Sequence, residues 1–183
     1  MAVIRFPSHL TLIGRPETVG NLAERRADAE HEPIPFPTAG AFTRDSLCDV
    51  ASSRGLMERL HLVGSIAPTS PLSFLAVKVD GLRALNEASG WEAGDEALKA
   101  IAEELQSLSR ATDLVGRLAG AVFGVVLQGT GATAASAVAA RLSFRVNQTL
   151  GPSSPVGVRI SAASGTGVHC ETLVIAAMDS FGD

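Results

Sequence analysis

The sequence predicts an α+β domain, a mainly antiparallel sheet with helices packed against it. Three observations carry this. Apolar residues recur at helical spacing in several stretches, and continuous apolar runs of strand length lie between them. Two of those runs are separated only by a turn in "RLAGAVFG", Arg117–Gly124, so the alternation contains a hairpin, which argues against a doubly wound parallel sheet. Apolar residues make up 46% of the chain and aromatics only 4%, so the core must be aliphatic.

The elements follow in order. Residues 1–44 differ from the rest and are expected to form an N-terminal arm and proline-rich linker. "PETVGNLAERRADAEHE" suits a short charged helix, and the alternating prolines of "EPIPFPTAGAF" stop it and favour extended backbone. The arm is either a poorly ordered tail or a partner-binding segment. From Asp45 to the end the pattern is that of a folded domain. "DVASSRGLMERLHLV" places Val50, Leu56, Met57, Leu60 and Val63 near one helical stripe, and "PLSFLAVKVDGL" is a strand run. In "EAGDEALKAIAEELQSLSR", Ala97, Leu98, Ile101, Ala102, Leu105 and Leu108 recur at helical spacing. "DLVGRL" and "AVFGVVLQ" are strands around "AG", "TAASAVAARLSFRVNQTL" is helical, "VGVRISAASGTGV" is a strand and "ETLVIAAMDS" a last helix. The predicted order is α-β-α-β-β-α-β-α. The hairpin carries no acid, hydroxyl or base at its tip, and Ala121-Val122 is expected to be an exposed apolar tip that a partner covers.

Several function classes are set aside. A formal net charge of −4 offers no basic field for a nucleic-acid backbone. No run has the length of a membrane span. "MAVIRFPSHLTLIG" lacks a basic leading region and a small-residue cleavage site, so no signal peptide is expected. Cys48 and Cys170 form neither a disulfide framework nor a metal knuckle, and a cytoplasmic location follows as the expectation. His169-Cys170 beside Glu171 is read as a strand-end pair in a loop rather than a zinc site, and Glu103-Glu104 as a solvated helix face.

The stretch "VKVDGLRALNEASGWEAGDEALKAIAEELQSLSRATDLVGRLAGAVFGVVLQG" resembles the GGDEF domains, the diguanylate cyclases that join two GTP molecules into cyclic di-GMP. The family pattern D-x-D-x-F-K-x-x-N-D-x-x-G-H-x-x-G-D finds Asp80, Arg83, Asn86, Gly90, Gly94 and Asp95 in register. Arg110 and Asp113 occupy its R-x-x-D. Upstream, "DSLCDVASSRGL" keeps Asp45, Leu47, Arg54 and Leu56 of the family's opening segment; downstream, "ISAASGTGV" resembles the strand after the long helix. The resemblance covers about residues 45–178.

The departures coincide with the chemistry. Joining GTP needs Mg²⁺ on hard oxygen ligands. Lys78 stands where the resemblance puts the first metal-binding Asp, and the signature pentapeptide reads Ala119-Gly120-Ala121-Val122-Phe123, without either acid. Trp91 replaces a His, and the family's closing phosphate-binding segment is not found before Asp183. The expectation is a degenerate, non-catalytic domain with no metal and no cofactor.

Two ligand sites are implied by the resemblance. Asn86 and Asp95 match the residues that read guanine, which would make a residual GTP-binding module; the plainer reading has Asn86 closing a turn before "EASG" and Asp95 capping a helix that starts near Glu96, and with the phosphate side dismantled it is preferred. Lys78 is read as ending its strand with its ammonium in solvent. Arg110-x-x-Asp113 matches the inhibitory site where the family binds cyclic di-GMP, with a further Arg from the following long helix. Arg141 is the candidate and Arg145 the second. Arg pairs bidentately with phosphate or the guanine O6/N7 edge, and Asp accepts from guanine N1–H and N2–H. The structural alternative is an Asp that opens the next strand and an Arg at a helix C-terminus. The leading expectation is a cyclic di-GMP receptor that regulates a protein partner, through residues 1–44 or the hairpin, or its own dimerisation. A nucleotide-independent interaction scaffold is the alternative.

Overall fold

Residues 72–80 form the strand on which the rest is assembled. Phe74, Leu75, Ala76 and Val77 are all fully buried, because helices cover both faces of the sheet at this point. The computed structural model describes residues 43–181 and the backbone of residues 10–13. Along the chain come β1 (Leu10–Ile13), α1 (Ser53–Ile66), β2 (Leu72–Asp80), α2 (Leu82–Ser89), α3 (Trp91–Leu108), β3 (Leu114–Ala119), β4 (Val122–Gln128), α4 (Ala132–Leu150), β5 (Gly157–Gly165) and α5 (Cys170–Asp179). The sheet order is β1-β5-β2-β4-β3, and every neighbouring pair is antiparallel, the hairpin pair β3–β4 among them.

Strand periodicity divides the core in two. Leu75, Val77 and Val79 face Leu98, Ile101 and Leu105 of α3 and Leu142 and Val146 of α4. Leu72, Phe74 and Ala76 face Leu56 and Leu60 of α1 and Leu173 of α5. Gly124 on β4 lies under this second layer. A Cβ there would stand 2.6 Å from Leu56 Cδ2 and from Phe74 Cζ.

Helix α1 starts at Ser53, after the N-cap Ser52, whose hydroxyl accepts from the Gly55 amide at 3.3 Å. Val50 of the predicted stripe therefore lies before the helix, buried in the other layer. Both edges of the sheet are partly occupied. Beyond β3, the Ala51 amide donates to Val115 O at 3.1 Å, and Ala51 O accepts from the Arg117 amide at 2.8 Å. Beyond β5, β1 pairs from Leu10 opposite Gly165 to Ile13 opposite Ala162. Farther along the same strand, the Asn147 side chain on α4 accepts from the Val158 amide at 3.0 Å and donates to Val158 O at 3.4 Å. Part of the stretch read as an arm thus joins the sheet, while "PETVGNLAERRADAEHE" and "EPIPFPTAGAF" lie outside the described residues.

Four local expectations are corrected. Residues 82–89 form the helix α2, bracketed by Gly81 at φ 78° and Gly90 at φ 87°, so Asn86 sits inside a helix and closes no turn. Helix α3 begins at Trp91, so Asp95 lies in its second turn and caps nothing. Cys170 begins α5 and is buried, its thiol donating to Leu60 O at 3.2 Å, rather than lying in a loop. Glu104 is largely buried at the seam of α3 and α4, with Oε1 3.4 Å from Arg145 Nη2, so only Glu103 belongs to a solvated face. Among the described residues no helix is long and apolar enough to cross a membrane.

Candidate functional sites

The first site lies where β2 ends. Its strand carries Lys78 and Asp80, with Arg159 of β5 opposite Lys78. Arg159 Nε and Nη2 donate to the Asp80 carboxylate at 2.5 and 3.0 Å. That hydrogen bonding holds the Asp80 carboxyl below the usual range, and the charges of Arg159 and Lys78 act in the same direction. Lys78 is half-buried and stands two residues before the strand's end, so it does not end the strand. Beside this strand end opens a cleft of about 730 Å³ lined by Val79, Asp80, Gly81, Leu82, Arg83, Asn86, Glu87, Trp91 and Ala121. Arg83 Nε donates to Glu87 at 2.8 Å. Asn86 lines the cleft, with Oδ1 buried against Gly94 and without a hydrogen-bond partner; Asp95 is exposed on α3 and is not part of the lining.

The hairpin forms one side of this region. Its tip is Gly120-Ala121, with Gly120 at φ 49°, and a bulge lies between Arg117 and Ala119. Ala121 and Val122 are partly buried rather than an exposed apolar tip: Ala121 packs on the α3–α4 core, and its carbonyl accepts from the Val79 amide at 2.8 Å. Phe123 is fully buried. Arg117 Nε donates to Gly120 O at 2.8 Å, and Nη1 reaches Asp45 Oδ1 at 3.3 Å. Asp45 also accepts from the amides of Leu47 and Cys48, both at 3.0 Å. Burial pushes its carboxyl up, but the two amides and Arg117 outweigh burial and leave it below the ordinary range.

The second site is the turn between α3 and β3. The Asp113 amide donates to Arg110 O at 3.0 Å, and the Arg110 amide donates to Asp113 Oδ2 at 2.9 Å, which closes the turn in both directions. Asp113 Oδ1 is buried and has no hydrogen-bond partner. Burial raises the Asp113 carboxyl; the amide of Arg110 and the charges of Arg110 and Arg141 pull it back only in part. Arg141 comes from α4, its Nη2 donating to Leu108 O at 3.1 Å. The turn and α4 thus bring Arg110, Asp113 and Arg141 together, and both arginines are solvent-exposed. Arg145, one turn farther along α4, is directed to Glu104 instead. Such an arrangement offers two fork-shaped cationic donors around a carboxylate with an open lone pair.

The antiparallel sheet, the two helical layers and the hairpin beside the end of the central strand define an α+β domain of the GGDEF type. The chain belongs to the diguanylate cyclase GGDEF-domain family, whose model matches residues 42–172. It is 33% identical over 90 residues to the probable diguanylate cyclase DgcC of Escherichia coli K12, which is 49% of this chain and 24% of that protein. It is 35% identical over 94 residues to diguanylate cyclase A of Treponema denticola, 51% of this chain and 25% of that one. The chain thus matches about a quarter of the length of these curated relatives. Among solved structures, the GGDEF domain of FimX from Pseudomonas aeruginosa superposes with a TM-score of 0.68 at 15% identity, over 75% of this chain and 90% of that one. The GGDEF domain of DgcB from Caulobacter crescentus in complex with c-di-GMP gives 0.65 at 15% identity, over 74% and 83%. These two likenesses concern the fold.

The sequence reading did not single out Trp91 as a cleft residue, nor Arg117 and Asp45 as the pair that holds the hairpin. A helix-starting Trp carries no mark of which cavity it lines, and the Arg117–Asp45 contact spans 72 positions.

Proposed function

We propose that this domain is a non-catalytic receptor for cyclic di-GMP, bound at Arg110, Asp113 and Arg141, that regulates a protein partner or self-association in bacterial signalling. The observation that carries this reading is the convergence of two exposed guanidinium groups, Arg110 and Arg141, at the turn that holds Asp113. The arginines suit phosphate and the guanine O6/N7 edge, and a carboxylate beside them suits guanine N1–H and N2–H. The DgcB GGDEF domain is known in complex with c-di-GMP, and a structurally similar diguanylate cyclase, SiaD of Pseudomonas aeruginosa, in complex with its activator SiaC.

Absence of catalysis is part of the proposal. The curated relatives are named as cyclases or probable cyclases, but the residues here do not fit a carboxylate-held divalent ion. An ammonium, Lys78, stands at the first ligand position, Asp80 is engaged by Arg159, and the hairpin offers Ala121 and Val122 in place of acids. With that ion unsupported, the attacking 3′-hydroxyl has no activating group on the hairpin.

The test is calorimetric titration with cyclic di-GMP, alongside Arg110→Ala and a GTP control. Micromolar or tighter binding that disappears in the variant supports the receptor. Silence with folded protein sinks it and leaves an interaction scaffold. Formation of cyclic di-GMP from GTP with Mg²⁺ or Mn²⁺ refutes the non-catalytic reading.

A further inference from the structure

Trp91 is the chain's single tryptophan and opens α3, yet its side chain is left in water. At 79% exposure it stands apart from the other outward-facing large apolar residues of the described chain, Leu62, Ile66, Phe144 and Ile175, which range from 43% to 63%. An indole in water forgoes the burial of one of the largest apolar side chains. Tryptophan and arginine are the residue types enriched at the energetic centres of protein contacts.

The charges around this indole share one sign. Glu92, Asp95 and Glu96 are exposed on the first two turns of α3, and no Lys or Arg occurs between Trp91 and Leu98. Asp95 lies one turn from Trp91 on the same side of the helix, with Glu92 and Glu96 alongside. The helix dipole accounts for Glu92 in the first turn, but Asp95 and Glu96 lie beyond the turn in which that effect acts. Among the described residues none of these three carboxylates enters an ion pair, whereas the neighbouring Glu87 is matched by Arg83. An exposed indole beside unmatched carboxylates is complementary to one side chain above others. A guanidinium is planar, stacks on an aromatic face and donates at its edges to carboxylates; a lysine ammonium is a compact, strongly hydrated point charge.

We propose that Trp91 and the acidic first two turns of α3 form the docking face for an arginine-bearing segment of a partner protein, with a guanidinium laid on the indole and Glu92 and Glu96 holding the flanking charges. The inference deepens the reading above by giving the partner its surface, and rests on that reading for the existence of a protein partner. It uses none of Arg110, Asp113, Arg141 and Asn86.

Because Trp91 is the only tryptophan, fluorescence of the full chain reports this face. The probe is hexa-arginine, with hexa-lysine and hexa-glutamate as controls. A saturable change in indole emission with hexa-arginine that weakens as salt is raised, weaker binding of hexa-lysine, and no response to hexa-glutamate are expected. In calorimetry Trp91→Ala weakens hexa-arginine roughly 2- to 30-fold, the worth of one cation–π contact, and Trp91→Phe recovers part of the loss. Glu92→Gln combined with Glu96→Gln also weakens binding and flattens its salt dependence. These are surface exchanges, and an unchanged Tm in each variant confines the comparison to binding. Cyclic di-GMP is titrated in parallel: its silence while hexa-arginine still binds ends the receptor reading and leaves the docking face standing. No saturable response to hexa-arginine, equal affinity for hexa-lysine, an affinity that survives Trp91→Ala, or an indole emission that shifts with protein concentration alone, which assigns the face to a second copy, overturns the proposal.

Discussion

Arg117 and Asp45 hold the hairpin to the opening of the domain. The guanidinium reaches the carboxylate at 3.3 Å and, through Nε, the carbonyl of Gly120 at 2.8 Å. A turn with no reactive side chain is thereby kept in one place, with its Ala121 carbonyl bonded to Val79 of the central strand. The pair is mostly buried, at 16% and 20% side-chain exposure, so removing one partner strands the other. Arg117→Ala is expected to cost about 2 kcal/mol, a fall in Tm of roughly 4–8 °C by calorimetry. Asp45 has a folded pKa below its ordinary 3.8, so its contribution is complete above that value and is lost as pH falls through the folded pKa. The difference in Tm between Asp45→Ala and the parent therefore shrinks in acid.

Gly81 and Gly120 both have positive φ, yet their alanine variants should behave differently. A Cβ on Gly81 would lie 1.8 Å from Pro155 O, whereas one on Gly120 would meet nothing within 4 Å. Gly120→Ala carries only the backbone cost, about 1 kcal/mol. Gly81→Ala must also displace the Pro155 backbone, and more than about 3 kcal/mol is expected. Urea unfolding of the two variants measures the contrast.

Asp113 sets stability against binding. Burial raises its carboxyl, so the folded form holds a proton more tightly than the unfolded chain, and ionisation disfavours folding as pH rises from the ordinary 3.8 through the folded value. Asp113→Asn keeps an acceptor for the Arg110 amide and removes the charge. It should be as stable as the parent or more stable by about 1 kcal/mol at pH 7, with the gain fading in acid. Its affinity for cyclic di-GMP should fall, and parallel urea and binding measurements test the opposition.

Arg141 and Arg145 separate by partner. Arg141 joins the Arg110–Asp113 turn, and Arg145 pairs with Glu104. Arg141→Ala should weaken cyclic di-GMP about 10- to 100-fold, and Arg145→Ala by less than about twofold, in the same titration.

From Asp45 onward most helices and strands were legible because each is amphipathic or continuously apolar over its length, and the hairpin gives one antiparallel pair; β1 was not, because it lies in the stretch read as an arm. Helix α2 was not, because eight residues between two glycines read as a turn when Asn86 and Glu87 sit among them. Its cause is the clash-limited backbone at Gly81 and the left-handed Gly90, neither of which periodicity registers. Arg110 and Asp113 could be paired on paper because they are three apart. Arg141 entered only through the family resemblance, since the loop before α4 leaves the helix register open. The fate of Ala121 was misjudged for a similar reason: an alanine near a hairpin tip is apolar whether it faces solvent or Val79.

The carboxamide of Asn147 bonds both the amide and the carbonyl of Val158, four residues along β5 from Ala162, the last partner of β1. In effect a helix side chain imitates one residue of a further strand. At the opposite margin Ala51 does the same with its backbone. Along β5 beyond β1, and along β3 at Ala51, backbone donors and acceptors that an added strand would use are thus taken up within the domain. A strand added at either of these points would first have to displace a contact that the domain makes with itself.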